Sequence, residues 1–171
     1  MHASLNKTKV YLDTSVISYL EQTDASEQMQ ITRDVWETFK SGKYDIYISD
    51  VVIQELAKCS DDKKKAALFS HLNELDYKLV NVTKEMFAFA EQIIDFGILK
   101  KRSFDDCQHI AAAIISNCDF IVSWNFKHIV NVNTIKGIKI LTTTEGYKDT
   151  LIYSPEAFQT EKEDENEYNY Y

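Results

Sequence analysis

Short apolar runs alternate along this chain with longer segments in which apolar residues recur at helical spacing, and this alternation restricts the fold most. Strand-like runs separated by helices predict a parallel sheet, because a parallel connection needs a crossover that a helix can supply. Only four glycines and one proline, Pro155, interrupt the 171 residues, so long helices and short loops are expected. The sequence therefore predicts an α/β fold, a three-layer α/β/α domain with a central, mostly parallel sheet.

The bounds of the predicted elements follow from the period of the apolar residues and from capping residues. In one helix the apolar residues recur at helical spacing until Gly42 interrupts the pattern. A short helix is expected to begin near Val16, and the sequence around Tyr153 and Pro155 is expected to be irregular. Strands are predicted at 9–12, 44–48, 78–82, 120–122 and 138–141, and helices at 27–41, 51–57, 61–75, 86–96 and 107–116.

Length and composition predict one domain, residues 1–158, followed by an acidic tail, residues 159–171, expected to be disordered. Between Glu161 and Glu167 five acids stand against one lysine, so this stretch contributes −4 of the net charge of −8. The remaining domain is mildly acidic, so bulk charge gives no argument for a nucleic-acid partner. No apolar run is long enough to cross a membrane, and the three cysteines form no C-x-x-C pair, which favours a cytoplasmic protein with reduced thiols.

Acidic or amide side chains follow the predicted strands or lie at the starts of the helices beyond them: Asp13, Glu55, Asp105, Asp106 and Asn125. Carboxylates that converge at one sheet edge repel each other unless a cation lies among them. Oxygen ligands of this kind suit Mg²⁺ or Mn²⁺, whereas zinc prefers His and Cys. Taken singly, each acid has a plainer explanation, because Asp13 can cap a helix, Glu55 can lie on the surface and the aspartate pair can complement a helix dipole.

Four motifs in order carry a resemblance to a known family. They are Val-Tyr-Leu-Asp-Thr-Ser at 10–15, Ser-Asp-Val-Val-Ile-Gln-Glu-Leu at 49–56, Asp-Cys-Gln-His-Ile-Ala-Ala-Ala at 106–113 and Asp-Phe-Ile-Val-Ser-Trp-Asn-Phe-Lys-His-Ile at 119–129. In order and spacing the chain resembles the PIN-domain family from about residue 9 to residue 158. Its single-domain form is similar to the VapC-like toxins of toxin–antitoxin pairs, which are Mg²⁺- or Mn²⁺-dependent ribonucleases. The resemblance implies an RNA substrate, a homodimer and an antitoxin partner.

The family's acidic site, carried over by motif, falls on Asp13, Glu55 and Asp106 as metal ligands. Its fourth acid falls on Asn125, which departs from the pattern because an amide is neutral. This departure leaves about three negative charges in place of four, although an amide can still hydrogen-bond a metal-bound water. A tightly held second metal ion is therefore not expected.

Candidate substrate contacts are the hydroxyls of Thr14, Ser15 and Ser123 and the cations Lys100, Lys101 and Arg102 before the Asp106 helix. Cations at the mouth of an acidic cleft could guide a phosphate backbone, although a solvated loop explains them equally well. His109 is expected to be a packed structural residue, and His128 carries a weaker signal still.

The sequence leaves two other functional interpretations open. A haloacid-dehalogenase-type phosphatase needs a second aspartate two residues after the first, and Ser15 stands there. A PIN fold kept as a binding or scaffold module with weak or no catalysis has only Asn125 in its favour. The leading prediction is a metal-dependent endoribonuclease in which Asp13, Glu55 and Asp106 meet at one edge of the sheet.

Overall fold

Five parallel strands form one sheet in the computed structural model, which describes residues 6–159. Their spatial order is β3-β2-β1-β4-β5, and each neighbouring pair is parallel. The strands are β1 Lys9–Leu12, β2 Asp45–Ser49, β3 Tyr77–Val80, β4 Phe120–Val122 and β5 Leu151–Tyr153.

Helices occupy most of the chain between the strands. Short 3₁₀ helices at Tyr19–Glu21, Lys101–Ser103 and Pro155–Phe158 complete the described part. The α-helices are α1 Thr14–Ser18, α2 Ser26–Lys40, α3 Asp50–Ala57, α4 Asp62–Asn73, α5 Lys84–Asp95, α6 Phe104–Ile115 and α7 Val132–Glu145.

Successive side chains of the central strands enter opposite hydrophobic cores. Val10 and Leu12 pack with α1 to α4 on one face of the sheet, whereas Tyr11 packs with α5 to α7 on the other. Neighbouring β4 alternates in the same way, because Ile121 and Val122 belong to different cores. Both faces of the sheet are therefore covered, which confirms the predicted three-layer α/β/α fold.

The strand order creates a switch point beside the central strand. From β1 the chain proceeds outward to β2 and β3 and then returns to the other side of β1 as β4. The loops that leave the carboxyl ends of β1 and β4 therefore diverge to opposite faces and leave a crevice between them. Asp13 follows β1 and Ser123 follows β4, so candidate residues border this crevice.

One strand of the sequence analysis is wrong. Residues 138–141 lie inside α7, and the fifth strand is Leu151–Tyr153, in the segment expected to be irregular. Ile138 and Ile140 alternate as in a strand, but the buried residues of this segment recur at helical spacing, and Ile140 is 57% exposed. The buried residues are Thr134, Ile138, Leu141 and Thr142.

The remaining elements lie within a few residues of their predicted bounds. The helix predicted at 107–116 begins earlier, at Phe104, so Asp105 and Asp106 lie in its first turn. The three cysteines are free. Apart from Gln159, the predicted tail 159–171 lies outside the described residues. None of the helices between residues 6 and 159 combines the length and apolar character needed to cross a lipid bilayer.

Replacing Gly137 in α7 with alanine is expected to destabilise the protein. A Cβ atom there would lie 2.8 Å from Cγ1 of Ile98. Overpacking costs about 1–3 kcal/mol, against a gain in helix propensity of about 1 kcal/mol, so the free energy of unfolding should fall by about 1 kcal/mol. Urea unfolding measures this change. On an Ile98→Ala background the same substitution should become stabilising, and persistent destabilisation there would contradict the packing explanation.

Candidate active site at the carboxyl edge of the sheet

Asp13 caps α1 directly after the central strand, and its carboxylate is almost completely buried. Its Oδ1 accepts hydrogen bonds from the Ser15 backbone N–H at 3.1 Å and the Ser15 hydroxyl at 2.5 Å. Its Oδ2 accepts a bond of 2.7 Å from the hydroxyl of Ser123, which follows β4. Burial raises the pKa of Asp13, while the nearby His109 and the two serine hydroxyls act in the opposite direction. The switch point therefore contains a carboxylate held from both adjacent strands.

Asp106 lies in the first turn of α6 and is held by two side chains from the loop after β4. Its Oδ1 accepts a hydrogen bond of 3.1 Å from the Asn125 amide, and its Oδ2 lies 2.9 Å from Nδ1 of His128. The Asn125 amide oxygen in turn accepts the backbone N–H of His128 at 2.9 Å. Burial raises the pKa of Asp106, an effect that His128 opposes and the charge of Glu55 reinforces.

Glu55 reaches the same edge from α3. Its Oε1 accepts a hydrogen bond of 3.0 Å from the Thr14 hydroxyl and lies 2.5 Å from Nε2 of His109. Burial alone would raise the pKa of Glu55, but the contact with His109 outweighs it and holds this pKa below its usual range. The pKa of Glu55 is thus shifted in the opposite direction to those of Asp13 and Asp106.

His109 is buried as expected, but it does more than fill space. Its Nδ1 lies 2.7 Å from the hydroxyl of Tyr11 on β1, and that hydroxyl lies 2.7 Å from Oγ of Ser49. Burial lowers the pKa of His109, yet the Glu55 hydrogen bond and the surrounding carboxylates raise it overall. The hydrogen bonds from Tyr11 to His109 and from His109 to Glu55 thus orient Glu55 from the protein interior.

Sequence reasoning missed the contacts of both histidines. His109 lies one turn after Asp106 on α6, so helical spacing by itself places the two residues on the same face of the helix. His128 gave no such signal, because its contact with Asp106 depends on how the loop after β4 folds back.

The three carboxylates supply the oxygen chemistry that Mg²⁺ and Mn²⁺ prefer. In the described part of the chain, however, no group of three or more His, Cys, Asp or Glu side chains is arranged to hold a metal ion. Each carboxylate instead hydrogen-bonds its own hydroxyl, amide or imidazole partners. The carboxylate oxygens therefore suit a divalent ion as ligands. An ion can bind only when the carboxylates give up some of these hydrogen bonds.

The predicted hydroxyls of Thr14, Ser15 and Ser123 each donate a hydrogen bond to an acid of the site, whereas the predicted cations lie in two different places. Lys100 and Arg102 line a cavity of about 250 Å³ that also includes Lys127 and His128. Lys101 instead lines a different groove. The exposed Asp105 has no part in the contacts that hold Asp106.

A family model described as PIN domain matches residues 10–127, more than half of the chain. The chain belongs to the PIN domain family. The matched span includes all four positions inferred from the motifs, from Asp13 to Asn125. PIN domains are generally metal-dependent nucleases, so the family accounts for acids gathered at the carboxyl edge of the sheet.

A solved structure supports the same fold for this PIN domain. The chain is similar to one in the crystal structure of VapBC2 from Rickettsia felis bound to a DNA fragment from their promoter. The TM-score is 0.55 at 13% sequence identity, and the alignment covers 86% of this chain and 98% of the other. No curated protein sequence matches the chain.

Replacing Asp106 with asparagine is expected to stabilise the metal-free PIN domain. The substitution removes one of three acids whose charges interact at a partly buried edge, and the neutral amide can still pair with Asn125 and His128. A thermal melt in a chelator should show a higher midpoint than wild type. Asp105→Asn, an exposed neighbour with the same change of charge, is the control and should shift the midpoint less. Clear destabilisation by Asp106→Asn would make Asp106 a structural residue.

Proposed function

We propose that this PIN domain is a metal-dependent endoribonuclease that acts in the cytoplasm as the toxin of a toxin–antitoxin pair. The observation that supports this most is the assembly of Asp13, Glu55 and Asp106 at the switch point of the sheet. These acids come from three separate motifs. Hydrogen bonds through Ser123 and Asn125 connect Asp13 with Asp106, and Glu55 is held by Thr14 and by His109, whose pKa all three acids raise. A purely structural role gives no reason to retain three interacting acids there.

The residues that would hold Mg²⁺ or Mn²⁺ are Asp13, Glu55 and Asp106. When bound, such an ion makes an attacking water more acidic and stabilises negative charge on the phosphate. The protein's own contribution is to keep the carboxylates oriented. Ser15 and Ser123 fix both oxygens of Asp13, and Thr14 fixes Glu55.

Asn125 acts in this proposal as a positioning residue. Its amide nitrogen donates to Asp106, and its amide oxygen accepts the backbone N–H of His128. An aspartate could not donate the first of these bonds. This contact accounts for an amide at the position where the PIN pattern has an acid, and it gives the residue a role in an active enzyme rather than a scaffold.

Asp13→Asn and Asp106→Asn should each reduce RNA cleavage by at least about 100-fold, the scale of losing one group that stabilises developing charge. Purified protein would be incubated with labelled single-stranded RNA and with total cellular RNA, in Mg²⁺, in Mn²⁺ and in chelator. Asp105→Asn, which changes the same charge beside the site, should cut like wild type. Absence of metal-dependent cutting by the wild type on every RNA would favour the scaffold reading.

An antitoxin would bind over the acidic edge. The similar chain comes from a VapBC2 structure, which supports a protein partner for this fold. An arginine fork pairs well with carboxylates that otherwise need a cation, so we expect the partner to insert a basic residue beside Asp13 and Asp106. Such a residue would block metal binding and RNA cleavage together.

We also propose that the protein is a homodimer that associates through α7. Three apolar residues of this helix are exposed, Val132 at 78%, Ile140 at 57% and Ile135 at 39%. Clusters of exposed apolar side chains commonly mark interfaces. Light scattering at tens of micromolar, on the order of common binding affinities, should give a dimer mass. Val132→Glu with Ile135→Glu should give a monomer, whereas Phe96→Glu, an exposed apolar position after α5, should not.

A further inference from the structure

A small cavity with a cationic rim adjoins the acidic edge. It measures about 250 Å³ and is bordered by the segment before α6 and the loop after β4. Lys100, Arg102 and Lys127 contribute three positive charges, and Ile98 and Leu99 contribute an apolar wall. No carboxylate belongs to its lining. We refer to it as the basic pocket.

The charges of the basic pocket are not neutralised within the described residues. Lys100, Arg102 and Lys127 are exposed, and within residues 6–159 none of them forms an ion pair. The larger cavity at the opposite edge of the sheet differs, because there Lys148 pairs with Asp119. Unpaired cations around a concave site attract an anion that the protein itself does not supply.

His128 connects the basic pocket to the acidic edge. The same imidazole that lines the pocket contacts Asp106 through Nδ1 at 2.9 Å. Ser103, also in the lining, caps the amino end of α6, and its side chain makes no capping hydrogen bond. Helix amino ends favour anions, but the first turn of α6 already carries Asp105 and Asp106, so the attraction for an anion comes from the lysine and arginine side chains of the pocket.

We propose that the basic pocket binds a backbone phosphate of the RNA next to the phosphate held at the acidic edge. This deepens the proposed ribonuclease function and rests on it. Lys100, Arg102 and Lys127 neutralise the flanking phosphate, and the apolar wall of Ile98 and Leu99 packs against its sugar. Because phosphate contacts carry no sequence information, the pocket sets the path of the RNA and not the sequence that is cut.

Net charge alone would oppose RNA binding, since the protein carries −8. The pocket provides positive charge locally, because three cations line it together with His128, which contacts Asp106. An acidic protein segment is the competing occupant, and it requires the same cations. RNA and an acidic protein segment differ in one respect. An RNA strand that is bound at the acidic edge must continue into the pocket, whereas a protein segment can occupy the pocket alone.

RNA affinity is tested in the uncut background of Asp13→Asn, by fluorescence anisotropy with a labelled single-stranded RNA over a range of salt concentrations. Lys127→Gln should weaken binding about tenfold or more, as expected for a charge-assisted contact. Each lost phosphate contact should reduce the slope of log K against log salt by about 0.7. Lys100→Gln with Lys127→Gln should lower the slope about twice as much, and Lys127→Arg should restore binding.

Lys101→Gln is the matched control, because it removes the same charge between two pocket residues while its side chain lines another groove. It should leave the affinity and salt slope unchanged. Equal losses from Lys101→Gln and Lys127→Gln would overturn the proposal in favour of diffuse attraction. Unchanged RNA binding by the Lys100→Gln, Lys127→Gln double variant would also overturn it and leave the pocket for an acidic protein segment.

The same proteins with Asp13 restored separate this proposal from the proposed function. If the wild type binds RNA through the pocket but cuts none with either metal, the ribonuclease function fails while the phosphate contact stands. If the double variant cuts RNA with unchanged KM and kcat, the pocket proposal fails while the ribonuclease function stands. A raised KM with little change in kcat supports a contact that binds RNA without touching the reacting phosphate.

Discussion

The Asp13 carboxylate, whose residue is only 3% exposed, ties the central strand to the strand beside it and to the helix that follows. It caps α1 through the Ser15 N–H and accepts the hydroxyl of Ser123 from the end of β4. Burying a carboxylate is unfavourable unless hydrogen bonds replace its hydration. The loops after β1 and β4 must therefore keep their conformations for Asp13 to be tolerated, and the rest of the acidic edge is built on them.

At the acidic edge, hydrogen bonds stabilise carboxylates that repel one another. Burial raises the pKa of Asp13 and of Asp106, while the contact with His109 lowers that of Glu55. His109, which contacts Glu55, and His128, which contacts Asp106, reduce the repulsion between the carboxylates. Hydroxyl and amide groups donate further hydrogen bonds to the carboxylate oxygens. Such an arrangement holds acids close without a cation, yet leaves them able to gain from one. Shifted pKa values of interacting acids cluster at functional sites.

The distribution of charge matters more than its sum. A protein with a net charge of −8 has a cavity lined by lysine, arginine and histidine beside its acidic site. In the proposed RNA complex, the cations would hold one phosphate, and the acids would accept the next phosphate only together with a divalent ion. Composition does not reveal this arrangement, since the residues concerned lie in two segments about 25 positions apart.

Sequence by itself determined the layer architecture, because the alternation of apolar runs with helical periods leaves few other ways to bury both faces of a sheet. It also identified Asp13, Glu55, Asp106 and Asn125 as site candidates, since these residues sit in motifs bound to strand ends and helix starts. It misassigned residues 138–141, where alternating isoleucines fit a strand period but the residues buried in the fold recur at helical spacing.

Only the tertiary structure decided which cations border the acidic edge. Lys100, Lys101 and Arg102 are equivalent in sequence, but Lys100 and Arg102 line the basic pocket, whereas Lys101, the first residue of the 3₁₀ helix, lines another groove. Lys127 and His128 join Lys100 and Arg102 because the loop after β4 folds toward α6. Contacts of this kind depend on long-range packing, which no local pattern of residues encodes.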